Sequence, residues 1–226
     1  MKITFYGHAC FGIETGSLSI LIDPFISPNE RAKKISIGEL KADYILLSHG
    51  HEDHVADALS IAQKNESTIV SNFEIVSWYA SQGHSKGHPM NIGGSKDFGE
   101  FSVKYVNAVH SSVLPDGTYG GNPGGFIIKA NGKCIYFAGD TALSMDMKLL
   151  GDFERLDAAI LPIGDNFTMG IEDACIASDF IQCDNIIGMH FDTFPYIEID
   201  HNYALDYFKK RNKELILLDI GENLNL

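Results

Sequence analysis

Residues 49 to 54 read His-Gly-His-Glu-Asp-His, directly after the apolar run Tyr44-Ile45-Leu46-Leu47. A strand that ends in such a cluster delivers three imidazoles and a carboxylate into one small volume. Neutral imidazole nitrogen and carboxylate oxygen are the ligands that borderline divalent ions such as Zn²⁺ prefer. Extended backbone has a side-chain period of two, so His49 and His51 can point the same way. Asp53 and His54 follow as the chain turns and can approach a second point nearby. Glu52 falls between these groups and is expected to be exposed. The competing reading is a solvated, His-rich loop; the density of ligands behind a buried strand favours a metal site.

The 226 residues suit one domain, 1–226. A chain of this length buries roughly 70% or more of its unfolded surface, so it needs no staples. With 17 basic and 30 acidic side chains the formal charge is −13. That balance argues against a nucleic-acid partner, whose binding rests on Lys and Arg neutralising phosphates. A small phosphorylated substrate stays open, because bound metals make the local field positive. Cys10, Cys134, Cys175 and Cys183 form no Cys-x-x-Cys pair and read as free structural thiols, which suit a reducing compartment. The amino terminus resembles neither a secretory signal nor a transit peptide. No run approaches the length of a membrane span. The expected location is the cytoplasm, with no membrane partner.

Along the chain, Ile3–Tyr6, Cys10–Glu14 and Leu18–Ile22 read as successive strands, with Thr15-Gly16-Ser17 as a hairpin turn. The run before the cluster predicts a strand ending at His49, followed by a helix over Val55–Gln63, a strand at Thr68–Val70 and a helix over Phe73–Ser81. Residues 85–100 read as loop with short strands. Phe101–Val109 predicts a strand ending at His110. Gly125–Lys129 and Cys134–Ala138 read as a hairpin through Asn131-Gly132. Ser144–Leu150, Ile171–Ile181 and Asp200–Lys210 read as helices; Ala158–Ile163, Asn185–Met189 and Leu215–Asp219 read as strands. Strand groups in both halves with flanking helices imply two sheets packed face to face with helices outside. A short echo joins the halves: Ile20-Leu21-Ile22-Asp23 and Ile135 to Asp140 each end an apolar strand in Asp.

A metal cluster on the first half requires further ligands, and His110, Asp140 and His190 each stand at the end of a predicted strand. Singly, each reads as a surface or capping residue; their agreement with the cluster changes the balance. Asp140 lies in Ala138-Gly139-Asp140-Thr141, where Gly lets the backbone approach closely and Thr can start a helix.

His49-x-His51-x-Asp53-His54 followed by His110, Asp140 and His190, each after an apolar strand, resembles the metallo-β-lactamase superfamily over nearly the whole chain. Tyr6-Gly7-His8-Ala9, Leu21 to Phe25, Pro162 to Gly170 and Met189 to Pro195 are similar to a subgroup of metal-dependent hydrolases related to ascorbate-phosphate lactonase. The resemblance implies an α/β fold (α+β in some schemes), a four-layer αββα sandwich. It also implies one metal held by His49, His51 and His110, a second held by Asp53, His54 and His190, and Asp140 bridging them. Two such ions share a hydroxide whose parent water has its pKa lowered toward neutrality. The implied activity is hydrolysis of a small-molecule lactone, ester or phosphoester, with Zn the leading ion and Mn or Fe as alternatives. Asp53 would also orient the nucleophile or relay its proton.

His8, in a turn between the first two strands, is a candidate for proton transfer or substrate contact; otherwise it is a turn histidine. Asp23, before Pro24, reads as fixing a loop. Asp165, Thr168 and Thr193 follow strands on the candidate active edge and are expected to line the substrate pocket. Gly120 to Gly125 lacks a Lys-Ser/Thr and reads as a flexible turn near the mouth of the site. His84, His88 and His201 read as solvated. Competing functions are a nuclease of the same superfamily, which the acidity opposes, and an iron-dependent oxygenase or redox enzyme. Di-iron oxygen reductases of the superfamily typically carry Glu where this chain has His51. A non-catalytic binding protein fits least, because every expected ligand is present. Oligomeric state has no signature, and a homo-oligomer stays open.

Overall fold

The alternating residues at the start of the chain build an antiparallel meander in the computed structural model, which describes residues 1–226. Strands β1 (Lys2–Gly7), β2 (Cys10–Thr15) and β3 (Leu18–Ile22) pair in that order. From β3 onward the pairing turns parallel through β4 (Tyr44–Leu46), β5 (Thr68–Asn72) and β6 (Gly87–Met90). Parallel neighbours need crossover connections. Helices α1 (Glu52–Val55), α2 (Ala58–Asn65) and α3 (Phe73–Ser81) supply them after β4 and β5.

The second sheet repeats the scheme. Strands β7 (Ser95–Asp97), β8 (Phe101–Asn107), β9 (Gly124–Ala130) and β10 (Lys133–Phe137) are antiparallel. Strands β11 (Ala158–Pro162), β12 (Asn185–Met189) and β13 (Glu214–Ile216) then continue parallel. Helices α4 (Asp146–Phe153), α5 (Ile171–Phe180) and α6 (His201–Lys209) connect them, and β14 (Asn223–Asn225) returns to pair with β1. Thus β3 and β10, the two strands of the sequence echo, occupy the same place. Each joins the antiparallel half of its sheet to the parallel half, and each runs out into an aspartate.

Period-two alternation decides which side chains face the middle. Phe11, Ile13, Ile20 and Ile22 of the first sheet share one buried cluster with Phe126, Ile128, Ile135 and Phe137 of the second. Phe11 meets Phe137 across the layers with ring centroids 6.3 Å apart. Leu21, Ile45 and Ile69 face the other way and pack on Ile61, Ile75 and Tyr79 of the flanking helices. The result is the four-layer αββα sandwich of the metallo-β-lactamase type. All four cysteines are free and buried. No helix is long and apolar enough to cross a membrane.

Three differences from the sequence expectation have physical causes. The single helix expected over 55–63 is two, broken at Ala56-Asp57. Asp57 spends its carboxylate on the loop after Pro24, accepting from Ile26 N–H at 2.7 Å and Ser27 N–H at 2.8 Å. The strand expected at 215–219 is present but shorter, as β13 over Glu214–Ile216, and one further strand, β14, follows it; Asn-Leu-Asn lacks strand propensity and is ordered by its partner β1. His84 is buried, with Nε2 bonded to the Ser67 carbonyl at 2.9 Å, where a solvated residue was expected.

Phe137→Ala, at a fully buried position between the sheets, is expected to cost about 3–5 kcal/mol in urea denaturation. Phe153→Ala, at a residue 78% exposed on α4, is expected to stay within about 0.5 kcal/mol of wild type. Equal losses would contradict the assignment of the core.

Candidate metal centre

Ligand sites in open α/β sheets lie beyond the carboxyl ends of strands, where the strand order switches. Here the ends of both sheets converge. The first sheet sends out Asp23 after β3 and residues 49–54 after β4. The second sends out His110 after β8, Asp140 after β10 and His190 after β12. The two edges are tied by a backbone bond from His190 N–H to the His8 carbonyl, 2.8 Å long. Within the second sheet, Val109 N–H donates to Thr141 Oγ1 at 2.9 Å, setting His110 beside Asp140. Gly139 has φ +64°, and a Cβ there would fall 2.6 Å from the Gly124 carbonyl oxygen and 3.0 Å from Ser48 Cβ. Glycine is what lets the Asp140 loop close on the cluster.

Three groups of candidate ligand atoms result, each with its atoms within 4.8 Å of one another: His49, His51 and His110; Asp53, His54, His190 and His8; and, behind these two, Asp23 with His49 and His54. Asp140 stands between the first two. Its Oδ2 lies 3.0 Å from His190 Nε2, 3.3 Å from His54 Nε2, 3.5 Å from His110 Nε2 and 4.0 Å from His49 Nε2. His49 Nε2 and His51 Nδ1 are 3.0 Å apart, so the alternating pair does converge.

A second layer of hydrogen bonds aims the imidazoles. Fully buried Asp23 accepts from Ser48 N–H at 2.8 Å, from Ser48 Oγ at 2.5 Å and from His54 Nδ1 at 2.8 Å. His49 Nδ1 in turn donates to Ser48 Oγ at 2.9 Å. Both rings therefore keep a proton on Nδ1 and turn Nε2 toward the centre. Carboxylate–histidine pairs of this kind fix the tautomer and raise the basicity of a ligand. Burial opposes a charged His54, yet the Asp140 and Asp53 carboxylates outweigh it and hold the imidazole well above its ordinary value, with a proton on Nε2 that a bound cation would displace. His8 sits on the other flank, buried, with Nε2 3.0 Å from Asp53 Oδ2 and Nδ1 2.9 Å from Thr193 Oγ1. It adopts φ +57°, a left-handed conformation shared by Asp23 and His190. Such geometry persists in non-glycine residues where the surroundings over-determine it.

The electrostatics are those of a cation site. Burial drives the Asp140 carboxyl up, yet the His190 and His54 imidazoles outweigh it and hold the group well below the usual carboxylate range. Burial likewise opposes ionisation of Asp53, and His54 and His8 reverse it. Burial pushes His49 well below its ordinary value and His8 down to about 4, with His190 adding to the second shift. His54 Nε2 and Asp140 Oδ1 are buried with no hydrogen-bond partner. Leaving such atoms unsatisfied costs about 1–3 kcal/mol each. A divalent cation would satisfy them, and the His and Asp donor set suits one.

The structure brings all seven candidate ligands and His8 together. Asp165 and Thr168 share a loop but bond within it: Asp165 Oδ1 accepts from Asn166 N–H at 2.7 Å, and Thr168 Oγ1 bonds the Met169 carbonyl at 3.4 Å. Thr193 acts on His8. Residues 120–124 are not a flexible turn at the mouth. They are mostly buried beneath the ligand loop, with the Gly120 carbonyl accepting from Asn72 Nδ2 at 2.7 Å and Gly124 N–H donating to the Ser48 carbonyl at 3.0 Å. Sequence reasoning missed Ser48, Ser111, Phe167 and Phe194. Ser48 had a signal in its place beside His49; the others are set only by the tertiary fold.

A metallo-hydrolase sandwich with its candidate metal-ligand side chains gathered at one edge is the class that this fold and geometry define. Residues 2–190 match the family model described as the beta-lactamase superfamily domain. The chain is 58% identical to a UPF0173 metal-dependent hydrolase of Christiangramia forsetii over the full length of both. It is 48% identical to one of Methylacidiphilum infernorum, again over the full length of both. The solved structure of Igni18, described as a metallo hydrolase from Ignicoccus hospitalis, is similar with a TM-score of 0.88 and 32% identity, covering 99% of this chain and 97% of that one. The chain belongs to the beta-lactamase superfamily and, within it, to the family of UPF0173 metal-dependent hydrolases.

Asp23→Ala removes the acceptor behind His54 and Ser48 without touching the cluster itself. Metal affinity, measured by competition with a chromogenic chelator, is expected to fall about 10–100-fold. An unchanged affinity in a folded variant would show that Asp23 does not aim the imidazoles.

Proposed function

We propose that the protein is a binuclear metal-dependent hydrolase of small molecules. The observation that carries this reading is the position of Asp140 Oδ2, within 3.0–4.0 Å of the Nε2 atoms of four histidines drawn from both the His49 and the Asp53 groups. On this reading His49, His51 and His110 would hold one ion and Asp53, His54 and His190 the other, with Asp140 shared between them. Zn is the leading ion, with Mn and Fe as alternatives. Bound there, divalent ions supply Lewis acidity and lower the pKa of water to give a nucleophile near neutral pH.

The chain's own residues do the rest. Asp23 and Ser48 keep protons on Nδ1 of His54 and His49. His8 Nε2–H donates to Asp53 Oδ2, holding that carboxylate deprotonated and turned toward the centre, and Thr193 backs His8 from Nδ1. Asp53 is thereby placed to receive a proton from the attacking water, while His8, already protonated on Nε2, orients the carboxylate. Esters, lactones and phosphoesters are all within reach of such chemistry. The substrate is a small molecule and not a nucleic acid, in keeping with the −13 charge. The free, buried thiols suit the cytoplasm.

Elemental analysis of untagged protein purified without chelator is expected to find two equivalents of Zn or Mn per chain. Asp140→Ala is expected to lower both metal content and hydrolytic rate. A single equivalent of iron, or two tightly held metals in the Asp140→Ala variant, would overturn the assignment.

A further inference from the structure

The walls of the cavity above the candidate centre differ in character from its floor. The cavity is about 260 Å³, and apart from candidate ligands it is lined by Ser111, Phe167 and Phe194. No lysine or arginine contributes to it. Pockets for drug-sized ligands run to about 300–1,000 Å³, so this one takes a small occupant.

The aromatic side chains are held in place. Asp165 and Asn166 have φ of +60° and +55°, and Phe167 N–H donates to the Asp165 carbonyl at 2.6 Å. That turn, after β11, presents Phe167 outward with 52% of it exposed. Tyr196, 74% exposed on the loop after β12, meets it edge to face with ring centroids 6.2 Å apart. Phe194 is set by Phe25 at 6.2 Å and by His8 at 5.4 Å between centroids. Two loops from different strands thus place three aromatic rings at or beside the mouth of a metal-ligand cluster.

Charge points the same way. Specific recognition of a phosphate or carboxylate tail usually relies on arginine or lysine, and the cavity offers neither. On the binuclear reading, Asp23, Asp53 and Asp140 already offset three of the four charges that two divalent ions bring.

We infer that the site takes an uncharged small molecule with an aromatic or otherwise apolar body and hydrolyses it at a carboxylic ester or lactone bond. This inference rests on the hydrolase reading above. The reaction forms a bond from water oxygen to the acyl carbon and breaks the acyl carbon–oxygen bond. The water proton passes to the departing oxygen, and no redox co-reactant is needed. Phe167, Phe194 and Tyr196 contact the body of the substrate and set which molecules enter.

The test uses metal-loaded enzyme with neutral substrates, dihydrocoumarin and phenyl acetate, and anionic ones, 4-nitrophenyl phosphate and bis(4-nitrophenyl) phosphate. The expected kcat/KM favours the neutral pair by about 100-fold or more, because a charged group would be left without a partner on the cavity wall. Phe167→Ala and Tyr196→Ala are each expected to lower the phenyl acetate to methyl acetate ratio of kcat/KM about 10-fold, mainly through KM. Phe153→Ala, on α4, keeps the wild-type ratio. Preference for either phosphate, or a ratio that ignores both aromatic substitutions, overturns the inference and leaves the hydrolase reading standing. Saturation-transfer NMR with phenylacetamide and phenylphosphonate separates the opposite case. If no substrate is turned over, the hydrolase reading fails. Phenylacetamide binding that Phe167→Ala abolishes would still support the neutral, aromatic pocket, whereas no binding or a preference for phenylphosphonate would overturn it.

Discussion

Asp23 carries more of this site than its distance from the cluster in sequence suggests. A carboxylate taken fully out of water is costly unless its lone pairs are met, and three donors meet them: Ser48 N–H, Ser48 Oγ and His54 Nδ1. The same bonds fasten the end of β3 to the start of the ligand loop and settle the protonation of two imidazoles. His54 is held directly and His49 through Ser48. Their Nε2 atoms then face Asp140, and the centre takes its shape. Remove that acceptor and a buried serine and a buried histidine both lose a partner.

The two halves of the chain use one scheme for different ends. Asp23 and Asp140 follow the strands at which each sheet changes from antiparallel to parallel pairing. One aspartate looks into the first sheet's own loop and acts as a brace. The other looks across the gap and touches imidazoles from both sheets. Placement at a switch point gives both access to the shared edge; their neighbours decide the division of labour.

Much of the site was legible in the sequence because its signals are local. His49, His51, Asp53 and His54 are neighbours, and strand geometry fixes their relative directions. His110, Asp140 and His190 could be found because each follows an apolar strand, and strand ends in a two-sheet protein meet at one edge. What was not legible depends on contacts between distant segments. The 120–124 stretch looks like a loose turn by composition, yet its glycines serve close packing against the ligand loop. Asp57 breaks a helix for the sake of Ile26 and Ser27, and β14 exists because β1 offers an open edge. Asp165 and Thr168 have the right chemistry for a substrate contact, but a tight turn claims both and leaves Phe167 to face the cavity.

The bond from His190 N–H to the His8 carbonyl joins edges that belong to different sheets. Neither sheet alone holds a complete set of donors: residues 49–54 come from one, and His110, Asp140 and His190 from the other. In an unfolded or half-assembled chain only the short histidine stretch is available, and it would grip a cation loosely. Full affinity therefore belongs to the native state alone, and any ion bound there stabilises that state by mass action. Loading the centre thus reports that the two halves have met in register.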